Sequence, residues 1–294
     1  MEKSNCIEIK NLSVVFENED GTKNVVLENI NYAFKKNKLT YILGKSGSGK
    51  TVLISHLNGL IKSKKGNIDI DDFKILENSK KIKDIKTLRK KIGAVFQFAE
   101  YQLFNDTILK ELIFGPKNLG IKKDVAIEKA KKIITEVGLN ETYLERAPSD
   151  LSGGQKRRVA IASILTSSPE IILFDEPCAG LDPQGEIEIY KIIMDFKNSG
   201  KTPIIITQDM DHVLEYGDEV IVLADNKIIA QGTPKQIFRD CYDIIKKNNL
   251  EIPKIYKLIN ELIDQNSIFE KLYDYDIRST KQLAEAIKEV LKHE

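Results

Sequence analysis

A chain of 294 residues, 41% of them hydrophobic, has room for one large domain or two modest ones with a sizeable core. Its 45 Lys and Arg against 44 Asp and Glu leave a net charge of +1, without the basic excess of a dedicated nucleic-acid binder. The longest apolar runs, such as 171–174 and 220–224, are four or five residues where a spanning helix needs about 20, so a membrane role has to come through partner proteins.

Cys6, Cys178 and Cys241 are odd in number and widely spaced, with no metal or disulfide pattern, and read as belonging to a reducing cytosol. The N-terminus, Met1-Glu2-Lys3-Ser4-Asn5, is polar and lacks the apolar core of a signal peptide. Residues 7–12 alternate as a half-buried strand does, and Asp20-Gly21 is a hairpin signal before a second strand near 25–27. Residues 39–43 read as a buried strand running into a glycine-rich loop, and 51–60 as a helix with Leu53, Leu57 and Leu60 on one face. Residues 68–70 alternate again, and 92–96 form a buried strand.

From about 104 to 165 the texture turns helical. The stretch 124–137 carries apolar positions at Val125, Ile127, Ala130, Ile133, Ile134 and Val137 and stops at Gly138, and 154–165 is helical again. Short apolar runs return at 171–174, 203–207 and 220–223, alternating with helical stretches such as 185–198. That alternation predicts an α/β fold with a mostly parallel sheet flanked by helices. Thr233-Pro234 is an N-cap with proline at the first helical position, and 240–294 reads as charged amphipathic helices.

Gly44-Lys45-Ser46-Gly47-Ser48-Gly49-Lys50-Thr51 satisfies G-x-x-x-x-G-K-[ST] at every fixed position, between a predicted strand and a predicted helix. Glycines let backbone N–H groups converge on phosphate oxygens, and the helix that starts here points its positive dipole end at the anion. In such a loop Lys50 reaches the β- and γ-phosphates and Thr51 ligates Mg²⁺. The run Ile171-Ile172-Leu173-Phe174-Asp175-Glu176 is a buried strand with two carboxylates at its C-terminal end, where ligands bind in parallel sheets. Asp175 is suited to hold Mg²⁺ through water, and Glu176 to polarise the attacking water as a general base.

Leu151-Ser152-Gly153-Gly154-Gln155, ahead of Asp175, narrows the class, because it resembles the signature sequence of ABC-type ATPases. Gln97, after a buried strand, resembles the Q-loop, and Leu181-Asp182 the D-loop, while Phe16 falls where an aromatic residue stacks on adenine. The resemblance covers roughly 5–235. It implies a P-loop NTPase with a RecA-like core, an antiparallel β subdomain and a helical signature subdomain, and it places Gln97 with Thr51 and Asp175 at the metal. It also implies a head-to-tail pair of nucleotide-binding domains. ATP would then sit between the phosphate loop of one and Ser152, Gly153, Gly154 and Gln155 of the other.

A narrower likeness lies in Phe98-Ala99-Glu100-Tyr101-Gln102-Leu103-Phe104, in Phe114-Gly115-Pro116-Lys117-Asn118 and in His56-Leu57-Asn58-Gly59-Leu60. These stretches resemble energy-coupling factor (ECF) transporter ATPases, and Tyr101-Gln102-Leu103-Phe104-Asn105 is more similar to the second of the two paralogues. The tail, with Leu250-Glu251-Ile252-Pro253 and 280–291, is similar to the helical extension that helps hold such dimers together. The resemblance implies an ABC ATPase domain over 1–235, with its helical subdomain at about 98–165, and a dimerisation extension over 236–294. It implies as partners a paralogous ATPase (or a second copy), a transmembrane scaffold and, through the scaffold, a substrate-capturing subunit for a vitamin or metal ion. No nucleic acid is expected, and the place of work is the cytoplasmic face of the membrane.

One departure bears on chemistry. Where ABC ATPases carry a histidine that contacts the γ-phosphate, this chain has Gln208, in Ile206-Thr207-Gln208-Asp209. Glutamine donates a hydrogen bond but carries no proton or positive charge near neutrality. The expectation is slow hydrolysis at the site built on this chain's own phosphate loop, with Glu176, Lys50 and Gln208 as its catalytic groups. His212 reads as a surface residue, His56 as packing or surface, and His293 as part of a frayed tail. Ala99, Cys178 and Val52 replace the family's common proline, threonine and second hydroxyl residue without removing a ligand. The alternatives are a conventional ABC importer subunit or a largely non-hydrolysing structural partner. DNA-repair relatives would need a long coiled coil between phosphate loop and signature, and ribosome-acting relatives a second such domain, and this chain has neither.

Overall fold

A computed structural model of the chain describes residues 4–17, 19–79, 81–82 and 84–292, so His293 and Met1-Glu2-Lys3 lie outside the described residues. The fold divides into two units, Met1–Lys38 with Thr51–Ile206, and Leu39–Lys50 with Thr207–Glu294.

Asp20-Gly21 turns β1 (Asn5–Glu17) back into β2 (Lys23–Lys35), with Glu17 opposite Lys23. β3 (Thr40–Leu43) is buried along its whole length, Thr40 included, and precedes α1 (Lys50–Leu57). β4 (Lys65–Ile70) pairs antiparallel with β1, setting Ile7 against Ile70 and Ile9 against Ile68, and β5 (Phe73–Ile75) adds to β4. The antiparallel subdomain is therefore ordered β2-β1-β4-β5. α2 (Ile85–Lys91), capped by the Asp84 side chain, runs directly into β6 (Ile92–Val95).

α3 (Ile108–Asn118), α4 (Lys123–Glu136) and α5 (Gly153–Leu165) pack on one another as the helical signature subdomain. β7 (Ile171–Asp175), α6 (Pro183–Asn198) and β8 (Thr202–Ile206) follow, and β6, β7 and β8 run parallel with Val95 beside Phe174 and Asp175 beside Ile206. In the second unit come α7 (Met210–Tyr216), β9 (Glu219–Ala224), β10 (Lys227–Gly232), α8 (Pro234–Asp240), α9 (Tyr242–Lys247), α10 (Lys254–Gln265) and α11 (Thr280–Lys292). There β3 lies parallel to β9, which turns back into β10, and Thr233 caps α8 reciprocally with Gln236. Ile259, Leu272, Ile277, Leu283, Ala286 and Val290 give the tail an apolar cluster of its own.

Two sequence expectations shift. Leu60 is off the helix: α1 ends at Leu57, the N–H groups of Leu60 and Ile61 both donate to the Ser55 carbonyl, and Leu60 stands half-exposed. On α4 the buried line is Ala126, Ala130 and Ile134, while Val125 points outward, because small side chains let the helix pack closely. No helix among the described residues is long and apolar enough to cross a membrane.

Candidate functional site

The phosphate loop lies in the second unit. Gly49 has φ +93°, a conformation that L side chains rarely adopt. At Gly44 an added Cβ would stand 2.4 Å from the Leu223 carbonyl oxygen and from Ser48 Oγ, so the loop's own packing demands glycine there. Lys45, Ser46 and Gly47 are exposed at the tip and Ser48 is half-buried. Lys50 is buried, and its Nζ donates to the carbonyls of Gly44 (2.7 Å) and Lys45 (2.8 Å), which folds the ammonium back over the loop.

In the first unit Thr51 and Asp175 come together: Thr51 Oγ1 donates to Asp175 Oδ2 at 2.8 Å. A hydroxyl and a buried carboxylate at the C-terminal end of β7 form a hard oxygen donor set, and this chemistry fits Mg²⁺. Gln97 is exposed in the turn two residues past β6, the strand beside β7, and so lies at the same sheet edge. Glu176 follows directly, with φ +48°, and its N–H donates to the Ile206 carbonyl at 2.9 Å. A non-glycine residue held there costs about 1–3 kcal/mol. Gln208, two residues past β8 and in the second unit, is exposed.

The signature forms the start of α5. Ser152 Oγ accepts from the Gln155 N–H (3.3 Å), and Gln155 Oε1 accepts from the Ser152 N–H (3.0 Å), a reciprocal cap that occupies the glutamine side chain. A Cβ added at Gly153 or Gly154 would meet nothing within 4 Å. The glycines border a cleft of about 690 Å³ that Phe98, Tyr101, Arg157, Gly180 and Asp182 also line. Phe16, on β1 opposite Asn24, is 42% exposed, as a stacking residue has to be.

Three arrangements escaped the sequence. Glu111, buried on α3, accepts from the N–H groups of Phe104 (3.2 Å) and Asn105 (2.9 Å) and from Asn105 Nδ2 (2.8 Å), pinning the segment after the Q-loop. That leaves Tyr101 84% and Phe104 65% exposed, with Phe104 edge-on to Phe114. Arg157 is buried against Glu100. His212 is half-buried rather than on open surface: its Nδ1 lies 3.0 Å from Asp209 Oδ2, and this hydrogen bond holds the Asp209 carboxyl below the usual range. His56 is core packing, with Nδ1 donating to the Val52 carbonyl at 2.8 Å, and burial pushes its pKa down.

Residues 27–179 match the family described as ABC transporter. The chain is 49% identical to the energy-coupling factor transporter ATP-binding protein EcfA2 of Mycoplasmoides gallisepticum, over 96% of this chain and 90% of that protein. It is 45% identical to the EcfA2 of Mycoplasma pneumoniae, over 98% of this chain and 94% of that protein. Among solved structures it is similar to cbiO1 from Clostridium perfringens, part of the ABC transporter complex cbiONQ (TM-score 0.71, 35% identity, 88% of this chain and 100% of that one). It is also similar to the ATP-binding cassette MJ0796, dimeric and bound to ADP and Pi after hydrolysis (TM-score 0.67, 29% identity, 78% of this chain and 98% of that one).

Proposed function

The chain belongs to the ABC transporter family and, within it, to the ECF transporter ATP-binding proteins, and from that premise we propose that it drives uptake of a vitamin or metal ion as one half of a nucleotide-sandwich dimer. It is an ABC ATPase that binds and hydrolyses ATP, and it serves as the ATP-binding subunit of an ECF transporter.

One observation carries the sandwich. Gly153 and Gly154 are kept bare although neither the backbone nor any neighbour in this chain requires it. A surface stripped of side chains beside an exposed serine N-cap suits a close approach from outside, and in this reading the approaching group is the ATP held by a second ATPase. On this chain's own phosphate loop the N–H groups between Gly44 and Thr51 cradle the phosphates and Lys50 swings from its two carbonyls to the β- and γ-oxygens. Thr51, Asp175 and Gln97 would hold Mg²⁺, which when bound neutralises phosphate charge. Glu176 polarises the attacking water, Phe16 stacks on adenine, and the neutral Gln208 leaves this site the slower of the pair.

The second ATPase is read as a paralogue, and the complex as lying on the cytoplasmic face of the membrane. An apolar cleft of about 450 Å³, lined by Leu60, Ile85, Phe96, Phe114, Leu119 and Ile164, supports docking of the transmembrane scaffold, which in turn carries the substrate-capturing subunit. Residues 1–235 are read as the ATPase domain and 236–294 as a dimerisation extension, in keeping with the tail's own apolar cluster.

The test is Glu176→Gln in this chain of the assembled transporter, set against the equivalent change in the other ATPase. ATP binding is expected to persist in both. Turnover should fall less for this chain's variant than for the partner's. Equal losses would sink the claim of unequal sites, and turnover unchanged by both variants would sink the catalytic role of the carboxylate.

A further inference from the structure

Arg157 is 1% exposed, two residues after the signature glutamine, and the phosphate chemistry described above makes no use of it. Its guanidinium donates through Nε and Nη2 to both oxygens of Glu100, the Nη2 bond at 2.9 Å. The remaining bonds go to backbone: Nη1 donates to the Pro177 carbonyl at 2.7 Å, and Nη2 to the Ala179 carbonyl at 3.2 Å. These carbonyls belong to the turn that opens with Glu176 and closes on the D-loop.

That turn needs a clamp. Glu176 sits at φ +48°, and conformations of this kind persist only where the surroundings over-determine them. The Ala179 N–H donates to the Glu176 carbonyl at 3.1 Å, which closes the turn locally. Arg157 reaches it from another element with a rigid planar fork, and Glu100, three residues past Gln97, locks the fork in orientation. A buried ion pair is seldom retained for stability, since apolar residues of similar volume often serve as well. What this pair supplies is position.

We infer that Arg157 is a positioning residue that fixes the Glu176 carboxylate by gripping the carbonyls of Pro177 and Ala179, and that it ties this turn to the signature helix and to the Q-loop turn. A displacement of the signature helix, when a second ATPase engages it, is thereby transmitted to this chain's own catalytic carboxylate. The inference rests on the catalytic role proposed for Glu176.

The experiment uses the assembled transporter and compares Arg157→Lys, the double variant Arg157→Met with Glu100→Leu, and Glu176→Gln as reference. To expose this chain's site, the partner's catalytic glutamate is changed to glutamine throughout. Lysine keeps the charge but cannot span Glu100 and two carbonyls together, so kcat should fall about 10-fold or more with KM for ATP unchanged within about 2-fold. The double variant should keep the melting temperature near wild type and lose more of kcat than Arg157→Lys, a partial rescue by the conservative change. Unchanged kcat in both variants would overturn the inference, as would a loss of kcat accompanied by a matching loss of thermal stability or a rise in KM. If Glu176→Gln itself leaves turnover intact, the proposed catalytic reading fails instead, and the two failures stay distinguishable.

Discussion

The phosphate loop runs into a helix and the signature glycines open one, and the two segments differ in what their own chain requires of glycine. At Gly44 a methyl group would collide with the Leu223 carbonyl oxygen and Ser48 Oγ, and Gly49 has a left-handed backbone, so the loop cannot take its shape with other residues. At Gly153 and Gly154 a methyl group would meet open space, and the backbone there is ordinary helix. Gly44 is demanded by its own chain, whereas Gly153 and Gly154 are not, and they suit the approach of ATP from a second ATPase that we propose.

The sharpest way to break that contrast is a pair of alanines. Gly154→Ala should leave the melting temperature unchanged or slightly raised, since alanine is better than glycine in a helix by about 0.5–1 kcal/mol. If the proposed sandwich holds, turnover of the assembled transporter should nevertheless fall on the order of 100-fold through misplacement of the nucleotide. Gly44→Ala should instead destabilise the fold by about 2–4 kcal/mol, read by chemical denaturation. Equal stability losses in the two variants would abolish the distinction. Gln208→His sharpens it on the phosphate-loop side: a donor able to carry charge should raise turnover at this chain's site about 3–10-fold, measured with the partner's site silenced.

The smallest effect concerns acid. Burial pushes the Glu100 carboxyl up, but its hydrogen bonds to Arg157 and to backbone outweigh this and leave its pKa below the ordinary 4.5. A carboxyl lowered in the folded state adds stability that is complete above the ordinary value and drains away as pH falls through the folded one. Protection factors of the α5 amides, each referred to intrinsic exchange at the same pH, should therefore fall below pH 4.5, and Glu100→Gln should flatten that acid dependence.

Much of the site was legible from the chain alone. Gly44 through Thr51, Asp175-Glu176 and Ser152 through Gln155 announce themselves because their chemistry depends on spacing along a single strand–turn–helix. The pairing of Arg157 with Glu100 follows no such spacing, because the partners are 57 residues apart. A signal was present in α5, where Arg157 stands one helical turn before the buried Ile161 and so occupies a line of core positions. Val125 misled because helix period leaves a choice between neighbouring faces, and the close packing open to Ala126 and Ala130 decided it.

Local chemistry written into consecutive residues therefore pointed to the candidate nucleotide loop, the signature, many of the strands and helices and the family, while Phe73–Ile75, Ile85–Lys91, Met210–Tyr216 and Lys227–Gly232 went unread. The left-handed turn at Glu176, the grip of Arg157 upon it and the pinning of Phe104 by Glu111 were decided only when the chain folded. Each depends on a hydrogen bond whose donor and acceptor lie on different elements, and the energy that selects it exists only once water has been excluded from between them.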